Sequence, residues 1–290
     1  YLDQEKFDVW TILFWYQNAS DFKKVPGVHY LRSCRPVRFL GWIPYFIGLL
    51  ICDVAFLPKR EYNGFCHFIA RLSGCKLFTT IEGIIDEYIL AQMGKTSEEV
   101  VKEYNSYAPY LYSITSYIAE REKIKGINCA EKVLYLGVDP NKFLSTVVRK
   151  HGLSNIVFIG NSLVRKRASE FIRMAQDFPR LIFHIVGGNQ LEGNVTVEEY
   201  LKINNINNCI YHGSLSHSHL SELLNKMDIM FFPSRSEGFP KVMLETACAG
   251  VPTLCYRDYG ADEWITSGVD GFVVDTYEEA VDVINDLLDH

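Results

Sequence analysis

Short apolar runs alternate with amphipathic stretches in the first half of the chain. The predicted strands are residues 7–16, 53–57, 76–80, 112–115 and 132–135, and the predicted helices are residues 65–72, 98–107 and 118–123. This alternation predicts a parallel sheet with helices on both faces. Residues 39–57 are apolar for the length of a short membrane span, but Pro44 interrupts them. A buried helix that runs into the strand 53–57 explains them as well.

The second half repeats the alternation more clearly. Its predicted strands are residues 155–159, 181–186, 209–211, 229–232, 251–255 and 271–274, and its predicted helices are residues 167–177, 218–226, 240–249 and 277–288. Ser216 or Ser218 can cap the second of these helices. The pattern predicts a doubly wound α/β domain. Because the polar residues 145–154 separate the halves, we predict two domains, residues 1–150 and 151–290.

The composition and charge exclude several classes of protein. The chain has 290 residues, of which 48% are hydrophobic and 22% charged, so it can bury two cores and is not a disordered protein. A net charge of −6 disfavours nucleic acid as a partner. The eight cysteines form no C-x-x-C pair, so no metal site is predicted. Free thiols and the lack of a signal-peptide pattern predict a cytoplasmic location.

Two glutamates flank a junction between a loop and a helix. Pro240 suits the first helical turn and Gly250 the position after the helix, so Glu237 precedes the helix and Glu245 lies inside it. A helix N-terminus that follows a strand and a loop can bind an anion. Glu245 lies among apolar residues, where two ribose hydroxyls could satisfy its carboxylate. An exposed glutamate, or one paired with a lysine, is the alternative.

These residues carry a resemblance to a known family. The segment 234–252, SRSEGFPKVMLETACAGVP, resembles the signature of the retaining group 1 (family 4) glycosyltransferases, and Glu237 and Glu245 match its E-x7-E motif. Further segments that resemble the family in order and spacing are residues 133–143, 157–166, 185–188, 212–213 and 261–274. The resemblance covers residues 50–290 and is strongest in the second half.

The resemblance implies a fold and a division of labour between the domains. The expected fold is GT-B, an α/β fold of two Rossmann-like, doubly wound domains that face a cleft. Residues 1–150 would form the acceptor-side domain, whose first strand is expected to lie before Tyr1. Residues 151–290 would bind the nucleotide sugar. The implied reaction is transfer of a hexose from a nucleotide-diphosphate sugar, with retention of configuration and without a metal ion or other cofactor.

The resemblance also implies roles for individual residues. Glu237 would be catalytic and meet the donor sugar. The chemistry adds Lys166 as a second catalytic residue, because charge that grows on the departing diphosphate without a metal ion needs a fixed cation. A solvated surface lysine is the alternative for Lys166. The residues implied in donor binding are Gly160, Asn161, Arg165, Gly187, Gly213, Gly238, Phe239, Pro240 and Glu245. Glu82 and Gly83 would lie on the acceptor or donor-sugar side.

Three positions depart from the family's pattern. Asn161 stands where the family usually has Arg, and Arg167 where it has Gly. Since an asparagine supplies no charge to a diphosphate, Arg165 or Arg167 would have to reach it, and helix direction allows only one of them to do so. Glu82 stands where the family has a histidine before its glycine. A carboxylate there accepts sugar hydroxyls but repels a diphosphate.

Three functions follow from these observations. The first is a retaining hexosyltransferase that uses a UDP- or GDP-sugar and a glycan or lipid-linked acceptor. The second is a non-catalytic relative that binds a nucleotide sugar, which Asn161 and Glu82 suggest, and the third is a nucleotide-sugar epimerase on the same fold. Aromatic and basic residues at 32–45 suggest peripheral contact with the cytoplasmic membrane face. The outer wall of the first domain explains those residues equally well.

Overall fold

The computed structural model describes residues 5–13, 26–32, 40–58, 64–107, 110–144 and 152–289. Its contacts divide the chain into two compact units. Unit 1 comprises Tyr1–Ile114 and Ile118–Tyr135, and unit 2 comprises Thr115–Tyr117 and Leu136–His290. Residues 145–151, around the predicted boundary, lie outside the described residues, and the boundary at 150–151 stays a prediction.

Unit 1 contains two small parallel sheets. Strands β1 (Val9–Leu13) and β2 (Val28–Arg32) pair with each other. Strands β3 (Val54–Phe56), β4 (Lys76–Ile81) and β5 (Leu111–Ser113) form a second sheet with β4 in the middle. The helices are α1 (Ile43–Ile51), α2 (Gly64–Ser73), α3 (Glu87–Met93), α4 (Ser97–Asn105) and α5 (Ser116–Ile124), of which α5 begins in unit 2.

Local capping explains where two of these helices begin. The Asp86 carboxylate accepts the Ile89 N–H at 2.8 Å and starts α3, which the apolar pattern had not indicated. Thr96 and Glu99 form a capping box at the start of α4. Such side chains satisfy backbone donors that a helix leaves open at its first turn.

Two predictions for unit 1 are wrong. Residues 132–135 do not form a strand, because only isolated backbone bonds join this part of the chain to β5, such as the Leu134 N–H to the Ser113 carbonyl at 2.8 Å. The helix expected to be buried within residues 39–57 is α1, and its buried residues are only Pro44 and Leu49. No helix within the described residues has the length and apolarity needed to cross a membrane. Strand β2 was not predicted.

Unit 2 is built on a sheet of six parallel strands. They are β6 (Asn155–Gly160), β7 (Ile182–Gly187), β8 (Cys209–Tyr211), β9 (Ile229–Phe232), β10 (Thr253–Tyr256) and β11 (Gly271–Val274). Their spatial order is β11-β10-β9-β6-β7-β8. The chain therefore builds outward from β6 on one side and from β9 on the other, which is the doubly wound arrangement predicted for this half.

Helices cover both faces of this sheet. They are α6 (Ala168–Asp177), α7 (Val197–Ile203), α8 (His217–Leu224), α9 (Lys241–Cys248) and α10 (Tyr277–Asp289). Alternate strand residues enter two separate cores: Phe158 and Phe231 pack with α6 and α10, whereas Val157 and Phe232 pack with α8 and α9. This division follows from the period of two along a strand and explains why the strands read as continuous apolar runs.

Helix boundaries in unit 2 differ slightly from the predicted ones. Pro240 is the N-cap of α9 rather than its first helical residue, and Arg167 precedes α6 in the left-handed conformation at φ 54°. Ser216 caps α8 by accepting the His219 N–H, so the first of the two predicted caps is confirmed. Helix α7 was missed, although Thr196 and Glu199 form a capping box that is readable in the sequence.

Candidate active site

A cavity lies in unit 2 where the order of the strands reverses. Neighbouring strands β6 and β9 end at Gly160 and Phe232, and the chain leaves them in opposite directions. In open parallel sheets, ligands bind at the carboxyl ends of strands at such a point. The cavity has a volume of about 300 Å³. It is lined by Ile159, Gly160, Asn161, Lys166, Val186, Gly187, Ser214, Leu215, His217, Leu220, Pro240, Lys241, Val242 and Glu245.

Two of the glycines predicted to bind the donor, Gly160 and Gly187, allow close packing beside this cavity. A Cβ on Gly160 would collide with the Lys166 side chain, and one on Gly187 would collide with the Gly160 carbonyl. Gly187 also has φ +127°, which L side chains rarely adopt. Its N–H donates to the Gly213 carbonyl at 2.9 Å, so the ends of β6, β7 and β8 meet through these glycines.

Glu237 is held by cations and a hydroxyl. Its Oε1 lies 2.7 Å from Lys166 Nζ and 3.2 Å from Arg165 Nη1, and it accepts the Ser234 hydroxyl at 2.8 Å. The Glu237 side chain is only 9% exposed. The two residues implied to be catalytic, Glu237 and Lys166, are therefore in direct contact.

Lys166 lies in a largely desolvated environment. Burial lowers the pKa of its ammonium, and the neighbouring Glu237 carboxylate opposes that effect. Its Nζ also lies 4.5 Å from the centre of the Phe232 ring, a contact that favours the charged form. Because Lys166 lines the cavity and contacts both the Glu237 carboxylate and the Phe232 ring, it is not a solvated surface residue.

Glu245 lies on α9 and lines the cavity, half-buried. Burial raises the pKa of its carboxyl, while the charges of His217 and Lys241 act in the opposite direction. It is neither on the outer face of the helix nor held in an ion pair within 4.0 Å among the described residues. Pro240, at the N-cap of α9, lines the same cavity.

The structure distinguishes the two arginines that could replace the missing charge at Asn161. Arg165 Nη1 donates to the Ser236 carbonyl at 2.8 Å and contacts Glu237. Arg167 Nη1 instead lies 2.7 Å from Glu170 Oε1, on the following helix. Arg165 is therefore the arginine that reaches the Glu237 loop.

The remaining residues predicted for the site lie either in the loop before α9 or in unit 1. Phe239 is buried against Trp264, with ring centres 4.6 Å apart, and Gly238 precedes it in the same loop. Glu82 and Gly83 belong to unit 1, directly after β4, where Glu82 accepts the Thr80 hydroxyl at 2.9 Å.

Four residues that line the cavity were not predicted from the sequence: Ser214, Leu215, His217 and Leu220. The signal that could have indicated them is their position directly after the predicted His212-Gly213 loop.

In the described part of the chain, no group of His, Cys, Asp or Glu is arranged to hold a metal ion.

Comparison with known proteins identifies the family. The family model described as glycosyl transferases group 1 matches residues 145–290, half of the chain. The chain belongs to the group 1 glycosyltransferase family.

One curated relative extends the likeness into the first unit. The chain is 27% identical over 223 residues to an alpha-galactosylglucosyldiacylglycerol synthase of Streptococcus pneumoniae. The match covers 73% of this chain and 57% of that relative, so the chain spans little more than half of the relative's length.

Solved structures confirm the predicted fold class, GT-B. The HepE protein of Anabaena in complex with UDP and glucose has a TM-score of 0.69 at 18% identity, over 89% of this chain and 76% of that one. WaaG, a glycosyltransferase involved in lipopolysaccharide biosynthesis, has a TM-score of 0.58 at 15% identity, over 93% of this chain and 80% of that one.

Proposed function

We propose that this protein is a retaining, metal-independent glycosyltransferase that moves a hexose from a UDP-sugar to a lipid-linked acceptor. The observation that carries the proposal is the contact between Lys166 and Glu237 beside a cavity that Glu245 also lines. Glu237 and Glu245 match the family's E-x7-E motif, and Lys166 is the cation expected beside the diphosphate. The family match and the name of the curated relative support the same reaction class.

The charges around the cavity suit a diphosphate that departs without a metal ion. As the bond between the anomeric carbon and the β-phosphate oxygen breaks, negative charge grows on that phosphate. Lys166 and Arg165 are fixed cations near it, and the N-terminus of α9 offers backbone N–H groups at the cavity wall. Arg165 thereby supplies the charge that Asn161 lacks, which argues against a loss of activity at this position.

The ribose is assigned to Glu245. A half-buried carboxylate with a raised pKa has lost part of its hydration, so two neutral hydroxyl donors restore its hydrogen bonds without a second buried charge. We propose UDP as the nucleotide because HepE, which shares the fold, was solved with UDP.

The test is transfer of radiolabelled hexose from UDP-glucose and UDP-galactose to diacylglycerol and glucosyldiacylglycerol. We expect one donor–acceptor pair to give a labelled glycolipid, an axial anomeric product by NMR, and an unchanged rate in EDTA. Lys166→Met is the inactive control. Nucleotide binding without transfer to any acceptor would identify a non-catalytic relative. Conversion of the donor to its epimer without an acceptor would identify an epimerase.

We further propose that unit 1 meets the cytoplasmic face of a membrane, where a lipid-linked acceptor resides. Residues 33–39, within the basic and aromatic stretch at 32–45, lie outside the described residues, and the proposal therefore rests on α1 and α2. Both helices expose large apolar side chains, which include Leu50 at 61% and Phe68 at 58%. Exposed apolar residues on neighbouring helices are typical of interaction surfaces, including those for membranes.

Flotation with vesicles of phosphatidylglycerol and phosphatidylcholine tests the membrane proposal. The double variant Leu50→Glu/Phe68→Glu should reduce the floating fraction severalfold. The matched control is Ile203→Glu, which changes an exposed apolar residue at the end of α7. Absence of wild-type flotation, or equal loss in the control, would contradict contact through α1 and α2.

A further inference from the structure

An ion pair between a buried glutamate and a partly exposed lysine holds the loop that follows β4 in unit 1. The Glu122 side chain is fully buried on α5, and its Oε1 lies 2.7 Å from Lys125 Nζ. The same oxygen accepts the Ile85 N–H at 2.9 Å, and Lys125 Nζ donates to the Ile85 carbonyl at 2.6 Å. Both polar groups of one loop residue are therefore bound by the two members of one ion pair.

This arrangement is costly as a purely structural device. Removing a carboxylate from water is unfavourable unless its oxygens are fully paired. Glu122 Oε2 is buried without a hydrogen-bond partner among the described residues. A buried carboxylate whose oxygens are incompletely satisfied is less favourable than an apolar side chain of similar size. What the pair holds in place, the backbone of Ile85, therefore matters as much as its contribution to stability.

The position of the loop indicates why this backbone matters. β4 is the middle strand of its parallel sheet, and the loop leaves it at the carboxyl end, where ligands bind in such sheets. Ile81 is fully buried at the end of the strand, Ile85 is fixed by the ion pair, and Asp86 begins α3. Only residues 82–84 lie between these anchors, so Glu82 and Gly83 are presented on a short segment that is fixed at both ends.

We propose that Glu122 and Lys125 are positioning residues that hold residues 82–84 in the geometry needed for sugar transfer. The inference rests on the proposed function, since it assigns a purpose in that reaction to a loop expected to contact the acceptor or the donor sugar. Neither residue contacts substrate; both act through the backbone of Ile85.

The double variant Glu122→Met/Lys125→Met separates positioning from stability. It replaces both charges with apolar side chains of similar size, but it also leaves the Ile85 N–H and carbonyl without these partners, so we expect a folded protein with a modestly lowered thermal midpoint. The turnover number should fall about 10- to 100-fold, because small misplacement of a reacting group has effects of this size. The affinity for UDP should be unchanged, since all residues that line the cavity belong to unit 2.

Two further measurements complete the test. Hydrogen exchange of peptides that contain residues 82–86 should be faster in the double variant, and Lys125→Arg should retain more activity than Lys125→Met because it keeps a cationic donor. Lys123→Met, which changes an exposed lysine on the same helix, is the control and should behave as wild type.

The outcomes separate this inference from the proposed function. A folded double variant with wild-type turnover, or with unchanged exchange at residues 82–86, would overturn the positioning role alone. Absence of transfer by the wild type with every donor and acceptor would overturn the proposed function. It would also remove the catalytic purpose assigned to Glu122 and Lys125.

Discussion

The loop end and the helix end of the segment 234–252 each carry a glutamate, and the fold gives the two different surroundings. Glu237, in the loop, is paired with Lys166 and Arg165 and accepts the Ser234 hydroxyl. Glu245, on α9, lines the cavity, and burial raises the pKa of its carboxyl. One carboxylate is therefore neutralised by its own chain, whereas the other is desolvated and suited to a ligand's hydroxyl groups.

Under the proposed function, this difference assigns two kinds of chemistry to one motif. A carboxylate that contacts two cations also orients them, so it suits contact with a sugar at which charge develops during the reaction. A half-buried carboxylate without such partners recognises neutral donors. We therefore expect substitutions at the two glutamates to affect different steps, catalysis at Glu237 and nucleotide binding at Glu245.

The largest effect is expected for Glu237→Gln. The amide still accepts the Ser234 hydroxyl but loses the charge that holds Lys166 and Arg165. We expect the turnover number to fall about 10²- to 10³-fold, as for loss of a group that stabilises a transition state. The affinity for UDP should be maintained or increased because both cations are released toward the diphosphate. A weakened UDP affinity at normal turnover would contradict the assignment.

Glu245→Ala should mainly weaken nucleotide binding, whereas Glu237→Gln should mainly lower turnover. Hydrogen bonds to a charged group contribute about 1.5–3 kcal/mol, so the Kd for UDP should rise about 10- to 100-fold. Thermal shift with UDP, GDP, ADP and CMP measures this, because a ligand at a hundredfold of its Kd stabilises by about 2.7 kcal/mol. Glu222→Ala, an exposed glutamate on α8, is the matched control. Equal shifts in Glu245→Ala and wild type would exclude the ribose role.

The pH dependence of UDP binding sharpens the comparison. Burial raises the pKa of Glu245 above the ordinary 4.5, and the ionised carboxylate accepts hydrogen bonds from the ribose hydroxyls more strongly than the protonated acid does. Affinity should therefore be highest above the raised pKa and fall as the pH decreases through it. The part of this decrease that is due to Glu245 should be no larger than the loss in Glu245→Ala. Titration calorimetry from pH 8 to pH 5 measures the effect, and Glu245→Gln should abolish this part of the pH dependence.

The smallest effect concerns the two arginines. Arg165→Met should lower turnover about two- to fivefold, because half of its side chain is exposed and solvent screens its charge. Arg167→Met should leave turnover unchanged, since Arg167 pairs with Glu170 rather than with the Glu237 loop. Initial rates at saturating donor distinguish the two. Equal loss in both variants would indicate a general effect of net charge.

Much of unit 2 was predictable from sequence because its strands are buried on both faces. Continuous apolar runs at β6, β7 and β9 mark such strands without tertiary information. In unit 1 the same criterion predicted a strand at 132–135 that does not form and missed β2, whose burial pattern is mixed. Short, partly exposed elements carry weak periodicity, and their pairing depends on neighbours distant in sequence.

The amino-acid sequence by itself determined the order of the six strands and of the helices other than α7 in unit 2, the family signature, and the placement of Glu237 in a loop and Glu245 in a helix. These features depend on local periodicity, capping and turn residues. Only the tertiary structure decided that Arg165 rather than Arg167 reaches Glu237, and that Glu122 and Lys125 form hydrogen bonds with the backbone of Ile85. Such contacts join residues between 37 and 72 positions apart, so no local pattern encodes them, and they depend on how packed elements bring side chains together.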